Sequence, residues 1–247
     1  LGDVYKRQFH LQLDRRNLNV CGRFDRHSAL TDFAHAIDGL HVEASEELPP
    51  SYNVAPSQRA LVVRNMPEGC IASALLWGLI PSWAKDAKKI RPINARSESV
   101  NERPMFRRPF RTQRCLVLCD GYYEWQTQAT GPKQPYYFQC PGATPFALAG
   151  LWERNDYLDV EPLETFCILT KSASSAVDSI HHRMPIRLSR DAHADWLDST
   201  VSDVGLLSQL IASADNDWMF YTVSRYVNSP HNDSSRCLER LREIEGS

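Results

Sequence analysis

Short runs of β-branched and aromatic residues, broken by turn residues, set the pattern of the chain. Ala60–Arg64, Cys70–Leu79, Cys115–Cys119, Tyr122–Trp125, Pro135–Gln139, Phe146–Leu151, Phe166–Thr170 and Trp218–Val223 read as strands. Helical spacing begins at Ala29–Ile37, where Leu30, Phe33, Ala34 and Ile37 fall on one face. Segments 189–197, 204–211 and 235–245 also read as helices, and Arg103–Thr112 as a short one. Ser172–Ser179 reads as a turn or short helix. Leu48–Pro56, with Pro49, Pro50 and Pro56, reads as a loop, and Ile80–Asn101 mostly as loop. Many short strands with helices concentrated at the ends favour one α+β domain with a curled sheet over a βαβ repeat. Residues 1–20 are polar and basic and lack the apolar stretch of a secretory signal. They read as a disordered or non-native extension, with order expected from about Val20 onward.

Composition narrows the class. Of 247 residues, 43% are hydrophobic and 23% charged, which excludes wholesale disorder and a fibrous repeat. The longest apolar stretch, Ile71 to Ile80, stops at Pro81, short of the ~20 residues a bilayer needs. Seven scattered cysteines, an odd number, fit free thiols in a reducing cytoplasm better than a disulfide frame. A net charge of -2 gives no global sign of a nucleic-acid partner.

Locally the charge is uneven. Lys85, Lys88, Lys89, Arg91, Arg96, Arg103, Arg107, Arg108, Arg111 and Arg114 stand against only Asp86, Glu98 and Glu102. Trp83, Phe106 and Phe110 lie in or beside this basic segment. Cations for phosphates next to aromatics for bases suit a single-strand binder; a solvated basic face around core aromatics fits the same residues.

Four islands carry candidate chemistry. In Cys21-Gly22-Arg23-Phe24 a thiol beside an arginine is either a nucleophile or a small buried hydrophobe. In Ile93-Asn94-Ala95-Arg96 the asparagine can donate to an oxyanion, or merely close an Asx turn. In Asp120-Gly121-Tyr122-Tyr123-Glu124-Trp125 strand alternation puts Tyr122 and Glu124 on one face and Tyr123 and Trp125 on the other. Burial among those aromatics would raise the Glu124 pKa toward the acid–base range; an exposed strand glutamate is the plainer alternative. In Ile180-His181-His182-Arg183-Met184-Pro185 an imidazole can move protons or serve only structure. Cys115 and Cys119 have no His-x3-5-His partner for a zinc site, and no Walker loop, G-x-G-x-x-G or G-x-S-x-G occurs.

These islands, with Tyr52-Asn53-Val54-Ala55-Pro56, Leu76-Trp77-Gly78 and the continuation Ser97-Glu98, make six ordered motifs. Together they resemble the SOS-response-associated peptidase (SRAP) family, abasic-site sensors that crosslink themselves to DNA. The resemblance runs from Cys21 to Asn228, through the closing run Val223-Ser224-Arg225-Tyr226-Val227-Asn228. It implies an α+β domain around a mixed pseudo-barrel sheet over about 21–232, followed by a C-terminal helix or tail at 233–247.

The resemblance also implies roles. Cys21 would be the nucleophile, offering an amine to the aldehyde of an abasic site and a thiol to close a thiazolidine. Asn94 would position the amine or sugar, Glu124 would move protons, and His181 would assist ring opening and reversal. Arg23, Arg96, Arg183 and part of the 103–114 cluster, Arg107 and Arg108 included, would bind phosphates, and Trp83 would stack a base; an internal salt bridge is the plainer reading of any one arginine. The implied partner is single-stranded DNA with abasic sites, without cofactor, metal or membrane, in a cytoplasmic and monomeric protein.

The chain departs from the family pattern in one respect: Val20 precedes Cys21, so the amine is acylated. Translation starting at position 20 on a GUG codon, followed by removal of the initiator Met, would expose Cys21; cleavage before Cys21 would do the same. Two rival classes predict other outcomes. A Cys21–His181–Asn94 hydrolase would turn over an acyl substrate without a DNA adduct. A non-covalent binding module would be indifferent to Cys21→Ala.

Overall fold

The computed structural model describes residues 21–86, 91–158, 161–215 and 217–241. Its elements are β1 (Arg23–Arg26), α1 (Leu30–Ala36), β2 (Ser51–Val54), β3 (Arg59–Met66), β4 (Gly69–Trp77), β5 (Asn94–Arg96), α2 (Pro104–Thr112), β6 (Arg114–Cys119), β7 (Gly121–Gln126), β8 (Gln134–Gln139), β9 (Phe146–Asn155), β10 (Leu163–Ser172), α3 (Ser175–Asp178), β11 (Arg183–Pro185), α4 (His193–Leu197), α5 (Val204–Ala212) and β12 (Met219–Thr222).

Two sheets form the body. One has the order β12-β8-β7-β1-β2. In the other, β10-β4-β3-β6-β9 closes on itself because β9 also pairs with β10, with β5 and β11 added along β10. Most pairings are antiparallel, but β10 runs parallel to β4 and β5, so the sheet is mixed. This is the curled α+β architecture expected.

Strand alternation sorts the side chains of the ring into two cores. Leu61 and Val63 of β3, with Leu116 and Leu118 of β6, face a helical layer through Phe33, Phe106, Phe110, Trp196 and Leu207. Ala60, Val62, Cys115 and Val117 face the five-stranded sheet through Phe24, Tyr122 and Phe138. Its far side carries a third cluster, where Tyr123 and Tyr137 meet Val223, Val227 and Cys237.

The structure corrects several local expectations. The proline-flanked 48–56 segment contains β2, an edge strand that pairs only with β1 and so tolerates neighbouring prolines. Residues 94–96 of the expected loop form β5, too short to show alternation. At 235–245 there is no α-helix among the described residues: Ser235–Leu238 is a 3-10 turn, and Leu241 donates its N–H to Thr222 O beside β12. Burial of Cys237 in the third cluster makes the turn part of the packed fold. No described helix is long and apolar enough to cross a membrane.

Candidate active site

Cys21 lies just before β1, fully buried, with its backbone in the left-handed region at φ +46°. Its N–H donates to Glu124 Oε1 at 2.5 Å. Tyr122 and Glu124 share the inward face of β7 as alternation required, and Glu124 is 2% exposed. Burial pushes its carboxyl up to about 8, against the opposing pull of the Cys21 and Trp125 N–H groups and the Lys133 ammonium. Burial, then the Glu124 carboxylate, pushes the Cys21 thiol well above its ordinary value.

Asn94 and His181 lie on opposite flanks of β10, next to β5 and β11 respectively. Asn94 opens β5, pairs with Ile168 and follows Ile93; His181 follows α3 and Ile180. Ile93, Ile180 and Cys21 belong to one cluster. His181 Nδ1 stands 3.2 Å from both the N and the O of Arg183, and its ring stacks on His182 at 4.6 Å. Burial lowers its pKa, and the Lys133 ammonium acts in the same direction. The exposed Lys133 was missed in the sequence; nothing local marks a hairpin lysine whose field reaches both Glu124 and His181.

The basic side chains divide into two groups. Arg23 donates to Asn53 Oδ1 (2.9 Å) and to the carbonyls of Val227 and Asn228, tying three of the family-like motifs together. Arg183 is buried, pairs with both Glu98 oxygens (2.5 and 2.8 Å) and donates to Thr170 O. Arg114 is buried against the carbonyls of Phe110, Arg111, Trp196 and Asp198. Arg96 is exposed on β5; Arg103, Arg107, Arg108 and Arg111 line the exposed face of α2 and form no salt bridge among the described residues, the Arg108 charge acting on the buried Glu153 from a distance. Arg108 reaches Ser82 Oγ at 3.2 Å, next to Trp83, whose side chain is 62% exposed. Lys88 and Lys89 lie outside the described residues.

Asp25, His27 and Asp120 bring possible metal-ligand atoms within 4.8 Å of one another. All four carboxylate oxygens already accept protein donors. Asp25 takes Tyr137 OH (3.0 Å) and His27 Nδ1 (2.7 Å), and Asp120 takes the N–H groups of His27 and Ser28 and the Ser28 hydroxyl. Hydrogen bonding therefore accounts for the group without an ion. Burial pushes Asp25 up to about 7, the Asp120 charge adding to the rise while His27 and Tyr137 oppose it.

The family model described as SOS response associated peptidase (SRAP) matches residues 20–230, the span that contains the Cys21–Glu124 contact and both flanks of β10. The chain belongs to the SRAP family. A relative from Bacillus subtilis, the abasic site processing protein YoaM, is 38% identical, over 89% of this chain and 98% of its own length. The chicken abasic site processing protein HMCES is 34% identical over 76% of this chain and 66% of its own. Among solved structures, a crystal structure of a Bacteroides thetaiotaomicron protein superposes with a TM-score of 0.75 at 27% identity, covering 90% of this chain and 100% of the other.

Proposed function

We propose that this SRAP protein captures abasic sites in single-stranded DNA through Cys21, acting as the amino-terminal residue of the mature chain. The observation that carries the reading is the 2.5 Å contact between the Cys21 nitrogen and a buried carboxyl held at about 8. A free α-amine has a pKa near ~7.7–8.0. Burial disfavours the charged form of both groups, so the proton passes readily between them and Glu124 takes it to leave a neutral amine.

The chemistry balances within the site. The amine nitrogen adds to C1′ of the ring-opened sugar, and the carbinolamine loses one water to give a Schiff base. The Cys21 sulfur adds to the imine carbon while its proton passes to nitrogen, closing the thiazolidine. Glu124 returns its proton to the departing hydroxyl. His181, its Nδ1 held at the Arg183 backbone, offers Nε2 to the sugar oxygen, and Asn94 orients the sugar from the opposite side of β10. Arg96, Arg107 and Arg108 neutralise phosphates and Trp83 stacks a base. Arg23 and Arg183, engaged inside the fold, hold the motifs around the strand rather than meeting it as free cations.

The raised thiol pKa speaks against a thiolate-first hydrolase, whose cysteine needs a lowered one. The reading requires residues 1–20 to be absent from the mature protein, through initiation at position 20 or self-cleavage. Intact mass of natively expressed protein checks this, and a mature species that keeps them ends the proposal. The decisive assay incubates Cys21-first protein with abasic and with intact single strands. A band that survives denaturation on the abasic strand alone, and is lost in Cys21→Ala, is the expected result; no band for the unsubstituted protein overturns it.

A further inference from the structure

The Trp83 side chain rides on a tight turn, in which Ala84 N–H donates to Pro81 O at 3.0 Å. Beneath it lies Asn155, the last residue of β9, fully buried. Its Oδ1 accepts the Tyr157 N–H at 2.9 Å, which fixes the orientation of the amide. Nδ2 therefore faces the turn, donating to Pro81 O and Ala84 O at 2.8 Å each, with Ser82 O at 3.4 Å. The same turn is held at Ser82 by Arg108, and the buried Glu153 accepts from Ser82 beside the Arg108 charge. The backbone that carries this exposed tryptophan is pinned from below and from the side before any ligand arrives, so little backbone entropy is lost when a base stacks on it.

We infer that Asn155 is a positioning residue that presets the Trp83 turn beside the arginines of α2 for stacking by single-stranded DNA. The inference rests on the stacking role proposed for Trp83. Asn155 touches no reacting atom, so its effect falls on affinity and passes through Trp83 alone. Aspartate at 155 keeps an acceptor for Tyr157 but replaces the shared donor with an oxygen facing two carbonyls.

The test is a double-mutant cycle on the full chain, read by fluorescence anisotropy with a labelled, undamaged single-stranded oligonucleotide. Trp83→Ala is expected to weaken binding by about tenfold. Asn155→Asp weakens it by at least about threefold, and adds nothing in the Trp83→Ala background. In Cys21-first protein on an abasic strand, Asn155→Asp raises the half-saturating DNA concentration and leaves the saturated crosslinking rate within about twofold. Asn155→Ser, too short to reach both carbonyls, replaces the aspartate variant if that one does not fold. Full-strength binding by the Asn155 variant, or losses that multiply in the double variant, overturn the inference while the stacking role stands. Undiminished binding by Trp83→Ala removes both.

Discussion

At the residue scale the decisive pair is Cys21 and Glu124. An alternation argument places Glu124 beside Tyr122 and away from Tyr123 and Trp125, and the structure keeps that division. The partner of the carboxyl was not legible, because a contact between residues 103 positions apart leaves no local trace. Asn94 and His181 were legible through the motifs that carry the family resemblance but not from local pattern, since their neighbours in the core, Ile93 and Ile180, look like any apolar residue. Removing proton transfer while keeping shape is the sharp test. Glu124→Gln is expected to slow single-turnover crosslinking by about 10²-fold or more, with DNA affinity unchanged. For the unsubstituted protein the rate falls as pH drops below about 8, as the amine–carboxyl pair gains its second proton. A gel time course from pH 6 to 9 reads both effects; the amine alone keeps an acid limb in the glutamine variant, so an undiminished plateau rate in that variant is the result that contradicts the assignment.

At the element scale the site depends on how closely β7 and β8 pack. A Cβ on Gly121 would stand 2.2 Å from the Tyr137 ring, whose hydroxyl is bonded to Asp25. Gly121→Ala is therefore expected to cost about 1–3 kcal/mol or more, measured as a lowered urea midpoint, because overpacking forces rings and backbone apart. A Cβ on Gly150 would stand 2.9 Å from Cys115 Sγ within the ring, a milder comparison. Strands buried on both faces, such as β3 and β6, were readable as short runs of β-branched and other apolar residues. Three-residue β5 and β11 were not, because they exist through pairing with β10 rather than through propensity. The described part of the C-terminal segment departs for a related reason: Ser235–Leu238 buries Cys237 against the sheet in a 3-10 turn.

At the scale of the whole molecule two fields matter. The first is the arginine surface of α2, on the helical side of the ring. Arg107→Ala combined with Arg108→Ala is expected to weaken single-strand binding and flatten the plot of log affinity against log salt by about 0.7 for each phosphate no longer neutralised. Titrations at several salt concentrations measure that slope, and an unchanged one excludes both side chains from the DNA surface. The second is buried acidity. Asp25 at about 7 and Glu124 at about 8 hold their protons in the fold after the unfolded chain has released them. Their stabilisation is complete below about pH 4 and disappears as pH rises through their folded values. Urea stability is thus expected to decline from pH 5 to 8, by an amount on the order of a few kcal/mol, and Asp25→Asn or Glu124→Gln should each flatten the decline.

Closure of β10-β4-β3-β6-β9 has its own consequence. A ring offers no terminal strand from which unzipping can begin, so its amides have no route to solvent short of opening the entire circuit. Deuterium uptake should accordingly be slowest, and share a single opening free energy, across β3, β4, β6 and β9. Edge strand β2 should exchange earlier, and β1, which carries the segment around Cys21, borders it. The segment around Cys21 thus sits on the more readily loosened sheet, against a frame that yields only when everything does.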